Sequence, residues 1–159
     1  MKIRIICVGK LKENYLTQCC NEYIKRLSIY GNVEIVEVNE EKEPANASEA
    51  DELNVRIKEG KRLLVKIKPN EYVYLLDLKG KMFDSIEFSN KIQNVMNEGK
   101  STIDFVIGGS TGLSDEVRER SNEQICLSKM TFTHQMTRCL ILEQVYRAFQ
   151  ILNHKPYHK

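Results

Sequence analysis

No stretch of this sequence is long and apolar enough to span a membrane, and the segment Met1 to Ile6 has too short an apolar run for a signal peptide. Neither sign of charge dominates. There are 24 Lys and Arg against 22 Asp and Glu, a net +2, so no strongly basic surface announces a nucleic-acid binder. No Cys-x-x-C occurs. The five cysteines are odd in number and Cys19 is adjacent to Cys20, which speaks against a disulfide framework and against a zinc site. All five (Cys7, Cys19, Cys20, Cys126, Cys139) lie in apolar runs, where a free thiol behaves as a small buried hydrophobe. That usage fits a reducing cytoplasm. Internal repeats, linkers and low-complexity segments are also missing. The expectation is one domain spanning 1–159 with a single core, bound to no membrane and no metal.

Against these absences stands a regular alternation of strand-like and helix-like segments. Ile3 to Val8 reads as a buried strand and Leu11 to Tyr30 as a helix. Val33 to Val38 is rich in β-branched residues and reads as a strand. Asn46 is placed to cap the next helix, with Glu49 reaching back, and Pro69-Asn70 ends it. Tyr72 to Leu76 is a continuous apolar strand. Asp84 or Ser85 opens a helix that Gly99 stops. Ile103 to Ile107 is a further buried strand. Ser114-Asp115-Glu116 starts a short helix, and Gln124 to Leu127 forms a short strand. The last helix starts at His134 or Gln135 and runs to Leu152. Continuous apolar strands alternating with helices imply an α/β fold with a mostly parallel sheet flanked by helices.

The last helix is apolar around most of its circumference, through Leu140, Ile141, Leu142, Val145, Tyr146, Phe149, Ile151 and Leu152. Such a helix needs cover on more than one side. Either the monomer sandwiches it, or a second copy of the chain covers one side.

In open α/β sheets, ligands bind beyond the carboxyl ends of the strands. Three such ends draw notice: Leu75 to Gly80, Ile107 to Gly112, and Leu127 to Phe132. Gly108-Gly109-Ser110-Thr111-Gly112 is neither a dinucleotide fingerprint nor a phosphate-binding P-loop. A plain strand-to-helix turn would account for it alone. The third loop is more specific. Met130, Phe132 and Met136 are apolar where a loop should be polar, and they alternate with Ser128, Thr131, Thr133 and His134. That mixture suits a flat heteroaromatic ligand held by backbone groups and apolar contacts. The final residues, His154-Lys155-Pro156-Tyr157-His158-Lys159, carry two of the three histidines, a phenol and two lysines. They can supply a proton acceptor near neutral pH and meet phosphate.

Gly108-Gly109-Ser110-Thr111-Gly112-Leu113, Leu127-Ser128-Lys129-Met130-Thr131-Phe132-Thr133-His134, Glu143-Gln144-Val145-Tyr146-Arg147-Ala148 and the terminal Pro156-Tyr157-His158-Lys159 together carry a resemblance that covers the whole chain. The chain resembles the bacterial ribosomal RNA large-subunit pseudouridine N3-methyltransferases, a family of the SPOUT class. The resemblance implies a SPOUT-type domain with a C-terminal trefoil knot, an exception to the usual avoidance of knots. It implies S-adenosyl-L-methionine as cofactor, held by Leu76, Gly108, Leu127, Ser128, Lys129, Met130, Thr131 and Phe132. It also implies a homodimer acting on large-subunit (23S) rRNA within the assembled ribosome. Ring N3 must lose a proton as it takes the methyl group, so a base or an anion-stabilising field is required. Tyr157, His158, His134 and Arg138 are the candidate catalytic groups, and the residues alone do not choose among them. Two other readings share the same features: a non-catalytic RNA- or ribosome-binding module, and a small Rossmann-like nucleotide enzyme.

Overall fold

The computed structural model describes residues 1–159. Five strands alternate with five helices: β1 (Lys2–Val8), α1 (Asn14–Leu27), β2 (Asn32–Val38), α2 (Glu49–Val65), β3 (Tyr72–Lys81), α3 (Ser85–Asn97), β4 (Thr102–Ile107), α4 (Asp115–Arg120), β5 (Glu123–Ile125) and α5 (His134–Leu152). The strands form one sheet in the order β2-β1-β4-β3-β5, and every pairing is parallel. This is the expected α/β architecture. All carboxyl ends of the strands therefore open on one side of the sheet.

Period-two alternation divides the core. Ile3, Ile5, Cys7, Tyr74, Phe105 and Ile107 face the larger layer, with residues of α1, α3 and α5. Ile6, Val8, Val73, Leu75 and Val106 face the other layer, with Leu63 of α2 and Val117 of α4. Strands buried on both faces read as continuous apolar runs for this reason. Tyr74 and Phe105 stack across adjacent strands at 5.4 Å between centroids.

The helix ends show local chemistry at work. Ser48, not Asn46, caps α2. Its hydroxyl accepts from the Asp51 N–H, and the Asp51 carboxylate accepts from the Ser48 N–H, a complete capping box. Asn46 instead takes a left-handed turn at φ 55°, a conformation Asn tolerates better than most residues. Helix α1 is shorter than the expected Leu11 to Tyr30. At its end the Ser28 hydroxyl donates to the Lys25 carbonyl at 2.7 Å, and Lys12 and Glu13, before its start, lie beside the loops that follow β3, β4 and β5. Strand β3 is longer than expected. Ile125 pairs with both Leu76 and Lys81, so Asp77 to Gly80 leave the ladder and the strand resumes beyond them. Strand β5 spans Glu123–Ile125 where Gln124 to Leu127 was expected.

One chain covers most of the apolar helix α5. Cys139, Ile141, Leu142, Val145, Ala148 and Phe149 are buried between α1, α3 and the sheet. Leu140, Tyr146, Ile151 and Leu152 stay half-buried. Ile141, fully buried, is thus a core residue and not an interface position. All five cysteines are free thiols. Four are buried and Cys19 is half-buried. The sulfurs of Cys20 and Cys139 touch at 3.4 Å between α1 and α5. No helix is long and apolar enough to cross a membrane.

Candidate active site

A cleft of about 730 Å³ opens over the carboxyl ends of β3, β4 and β5, walled on its remaining sides by the starts of α1 and α5. Its size is that of a cofactor pocket. Of the eight positions expected to hold a cofactor, seven line it: Leu76, Gly108, Leu127, Ser128, Met130, Thr131 and Phe132. Lys129 lies on the same loop but is exposed and outside the lining.

Each loop is built from within. Beyond β4 the chain turns back at once, with the Gly112 N–H donating to the Gly109 carbonyl at 3.1 Å and Gly112 at φ 94°. A side chain at Gly108 would place its Cβ 2.8 Å from the Gly112 carbonyl oxygen. Gly108 is therefore required by the closure of its own loop before any ligand approaches. From α2, the Arg56 guanidinium donates to the Thr111 carbonyl at 3.2 Å and pins the turn from outside.

The loop from Cys126 to Thr133 is held by short-range bonds. The Cys126 thiol donates to the Ser128 carbonyl at 3.0 Å, and the Met130 N–H donates to the Ser128 hydroxyl at 3.0 Å. Thr133 then caps α5 by accepting from the Met136 N–H at 3.2 Å. Met130 is 77% exposed and Phe132 46%, so the loop offers apolar surface to solvent instead of to the core. Phe132 also borders a smaller apolar hollow of about 240 Å³ on the far side of this loop, with Phe83, Phe88 and Leu140.

His134, at the first turn of α5, lines the cleft and is half-buried. Burial, aided by the positive Arg138 nearby, holds its imidazole below the usual histidine range. A neutral ring keeps one nitrogen free to accept a proton or a hydrogen bond. Arg138, one turn on, is not in the lining. It is fully buried, and its Nη2 donates to the carbonyls of Val8 at 2.8 Å and Gly9 at 2.9 Å, with Glu37 at 3.6 Å from Nη1. The guanidinium ties α5 to the end of β1 and is not presented to a ligand in the cleft.

The tail does not reach the cleft of its own chain. After α5 the backbone turns at His154, φ 54°, and Tyr157 folds back along the helix. Its hydroxyl donates to Glu143 Oε1 at 3.1 Å, its ring meets Tyr146 edge-on at 4.9 Å, and the Arg147 guanidinium lies 4.7 Å from its centroid. Burial and the neighbouring Glu143 raise the phenol pKa. At 1.5 Å per residue, Glu143 lies about 14 Å along the helix from His134. His158 and Lys159 are exposed. Within one chain, then, His134 joins the cofactor-type loops while Tyr157 and His158 stand on the flank of α5.

Asp77 and Arg118, which are not among the expected site residues, also line the cleft and form an ion pair at 2.7 Å. Asp77 was detectable as the residue ending an apolar strand. Arg118 had no signal, since its role depends on where α4 lies. Lys12 was missed as well. Its N–H donates to Gln135 Oε1 at 3.2 Å and closes the rim between α1 and α5. No group of His, Cys, Asp and Glu side chains is placed to hold a metal ion.

Residues 1–158 match the family described as "Predicted SPOUT methyltransferase". The chain is 52% identical over 159 residues, all of both chains, to a protein of Enterococcus faecalis named "Ribosomal RNA large subunit methyltransferase H". It is 55% identical to a Clostridium perfringens protein named "Ribosomal RNA large subunit methyltransferase H 1" and 53% identical to the Clostridium tetani "Ribosomal RNA large subunit methyltransferase H", again over the full length of both chains. A match that leaves no part of the fold or of the cleft uncovered makes this chain a member of the SPOUT methyltransferase family.

Proposed function

We propose that the protein methylates N3 of a pseudouridine in large-subunit rRNA, using S-adenosyl-L-methionine, as a cytoplasmic homodimer acting on assembled ribosomes. Residues 1–159 act as one SPOUT domain whose C-terminal loops form the trefoil knot of the class. The observation that carries the reading is the convergence of Leu76, Gly108 and the Leu127–Phe132 loop on one cleft with His134 at its rim. The full-length relatives named as rRNA large-subunit methyltransferases support the substrate class.

The donor set fits S-adenosyl-L-methionine. The backbone at Gly108 is bare, Leu127, Met130 and Phe132 offer apolar contact for an adenine face, and Ser128 and Thr131 offer hydroxyls. When bound, the cofactor supplies an electrophilic methyl group on a sulfonium. The chain's own share is positioning and charge. The cleft holds the reacting nitrogen in line, where near-attack geometry supplies much of the rate. His134, kept neutral by burial, is the acceptor at hand for the N3 proton. Tyr157 and His158 take part in catalysis through the tail of a second copy, because their own tail lies along the flank of α5. Lys129 and Lys159, both exposed, meet phosphate. Arg138 anchors the first turns of α5, which carry His134, to the end of β1.

The test incubates purified protein with labelled S-adenosyl-L-methionine and ribosomes lacking the modification, then maps the label. Label on one large-subunit pseudouridine is the expected outcome. Cofactor binding without transfer to any ribosomal RNA would sink the substrate assignment, and absence of cofactor binding would sink the whole reading.

A further inference from the structure

Strand β3 is interrupted beside the cleft. Ile125 pairs with Leu76 and again with Lys81, and the Cys126 N–H donates to the Lys81 carbonyl at 2.9 Å. Asp77 to Gly80 therefore bulge out of the ladder. Such bulges sit next to active sites where they re-aim side chains. The tip of this one is open to solvent. Leu78, at its tip, lines the cleft yet is 60% exposed, and Lys79 is exposed.

Asp77 anchors the bulge at its neck. Its Oδ1 accepts from the Lys79 N–H at 3.2 Å, which shapes the turn. Its Oδ2 accepts from Arg118 Nε at 2.7 Å. The same guanidinium donates through Nη1 to the Leu113 carbonyl at 3.0 Å, at the end of the glycine loop. A third contact, to Asp115 at 3.2 Å, involves a side chain 93% exposed and adds little. The Asp77–Arg118 contact is better shielded, with side chains 8% and 25% exposed. Arg118 thus spans two loops whose chain neighbours, Leu76 and Gly112, both line the cleft. Helix α4 does not need this contact to stay in place. Val117 buries fully in the core, and the Ser114 hydroxyl caps the helix by accepting from the Val117 N–H. The interaction therefore falls on the spacing between the bulge and the glycine loop.

We infer that the Asp77–Arg118 pair is a positioning device, which sets the width of the cleft between the Asp77–Gly80 bulge and the glycine loop and so tunes affinity for the cofactor. Neither side chain takes a catalytic part. The inference rests on the proposed S-adenosyl-L-methionine site and adds to it a role for two residues outside the expected binding set.

The experiment is a double-mutant cycle read by calorimetry on the full-length protein. Arg118→Ala, Asp77→Ala, the double variant and the milder Asp77→Asn are titrated with S-adenosyl-L-methionine and with 5′-methylthioadenosine, which lacks the amino-acid end. Thermal midpoints are recorded in parallel. Each single variant is expected to weaken both ligands by roughly tenfold, within the usual range of coupled neighbours, and the double variant no further than the worse single one. Five results overturn the inference. Additive losses in the double variant would mean the two residues act separately. A loss for S-adenosyl-L-methionine alone would mean Arg118 contacts the carboxylate directly. Lowered thermal midpoints at unchanged affinity would reduce the pair to a structural bridge. A wild-type protein that binds neither ligand would remove the proposed function and this inference with it, whereas normal wild-type binding with unaffected variants would remove the inference alone.

Discussion

Replacing Arg138 with alanine separates a structural arginine from a catalytic one. Its guanidinium is wholly buried and donates to the Val8 and Gly9 carbonyls at 2.8 and 2.9 Å. A hydrogen bond from a charged donor is worth about 1.5–3 kcal/mol net. Two that share one nitrogen contribute less than their sum. The nearby Glu37 carboxylate is 35% exposed, so it rehydrates when the cation is gone and leaves no buried orphan charge. The loss should therefore fall at about 3–4 kcal/mol, the lower part of the range for breaking a buried pair. In a chain of this size that lowers the melting temperature by roughly 6–16 °C. Urea unfolding followed by circular dichroism measures the loss. Cofactor affinity and methylation are then measured well below the variant's melting point. Activity per folded molecule should stay within a few-fold of wild type. A variant with the wild-type melting temperature and no methylation would refute the reasoning and return Arg138 to the reacting centre.

Deleting Pro156 to Lys159 removes the Tyr157 contacts with Glu143, Tyr146 and Arg147. It should destabilise the fold by about 1–2 kcal/mol, leave calorimetric cofactor affinity within a few-fold, and lower the methylation rate on ribosomes by orders of magnitude. An undiminished rate would make the tail a surface ornament. Light scattering at micromolar concentration should find a dimer, and Ile151→Glu, at a half-buried position on α5, should yield inactive monomers; a wild-type monomer would remove the shared site. Asp104 is fully buried against Arg4, with Glu71 on the same guanidinium, and burial pushes its carboxyl up to about 6. Because that lies above the unfolded value of about 3.9, the folded state binds the proton more tightly. This contribution to stability is present at low pH and is lost as pH rises between about 4 and 6. Melting curves across that window should slope less for Asp104→Asn than for wild type, and equal slopes would contradict it.

The sheet was legible because strands buried on both faces are apolar along nearly all their length: Tyr72 to Leu76 without interruption, and Ile3 to Val8 and Ile103 to Ile107 but for Arg4 and Asp104, which pair with each other. The three cleft loops were legible as the segments that follow such strands. What escaped depends on pairs distant in sequence. Whether Asn46 or Ser48 caps α2 is a choice between two locally valid spacings. The bulge in β3 exists only because Ile125 offers one pairing site to two residues. The cover of α5 could not be assigned from its own composition, since an apolar helix reads the same under α1 and α3 as under a second chain. Arg138 looked reactive from its neighbours in sequence, but its partners lie at Val8 and Gly9.

The ties of α5 to the opposite end of the chain also set a schedule for synthesis. Arg138 bonds Val8 and Gly9, Cys139 touches Cys20, and Gln150 donates to Tyr30. At about 5–20 residues per second, roughly 6–26 s separate the making of Val8 from that of Arg138. During that time the end of β1 lacks the donor that will close it, and the apolar layer meant for α5 stays open. Pairings this remote also place the chain among slow folders, since loop-closure entropy must be met before the contacts reward it. The cleft closes only at the end of this schedule, because its rim at His134 and its anchor at Arg138 are made after the loops that follow β3, β4 and β5.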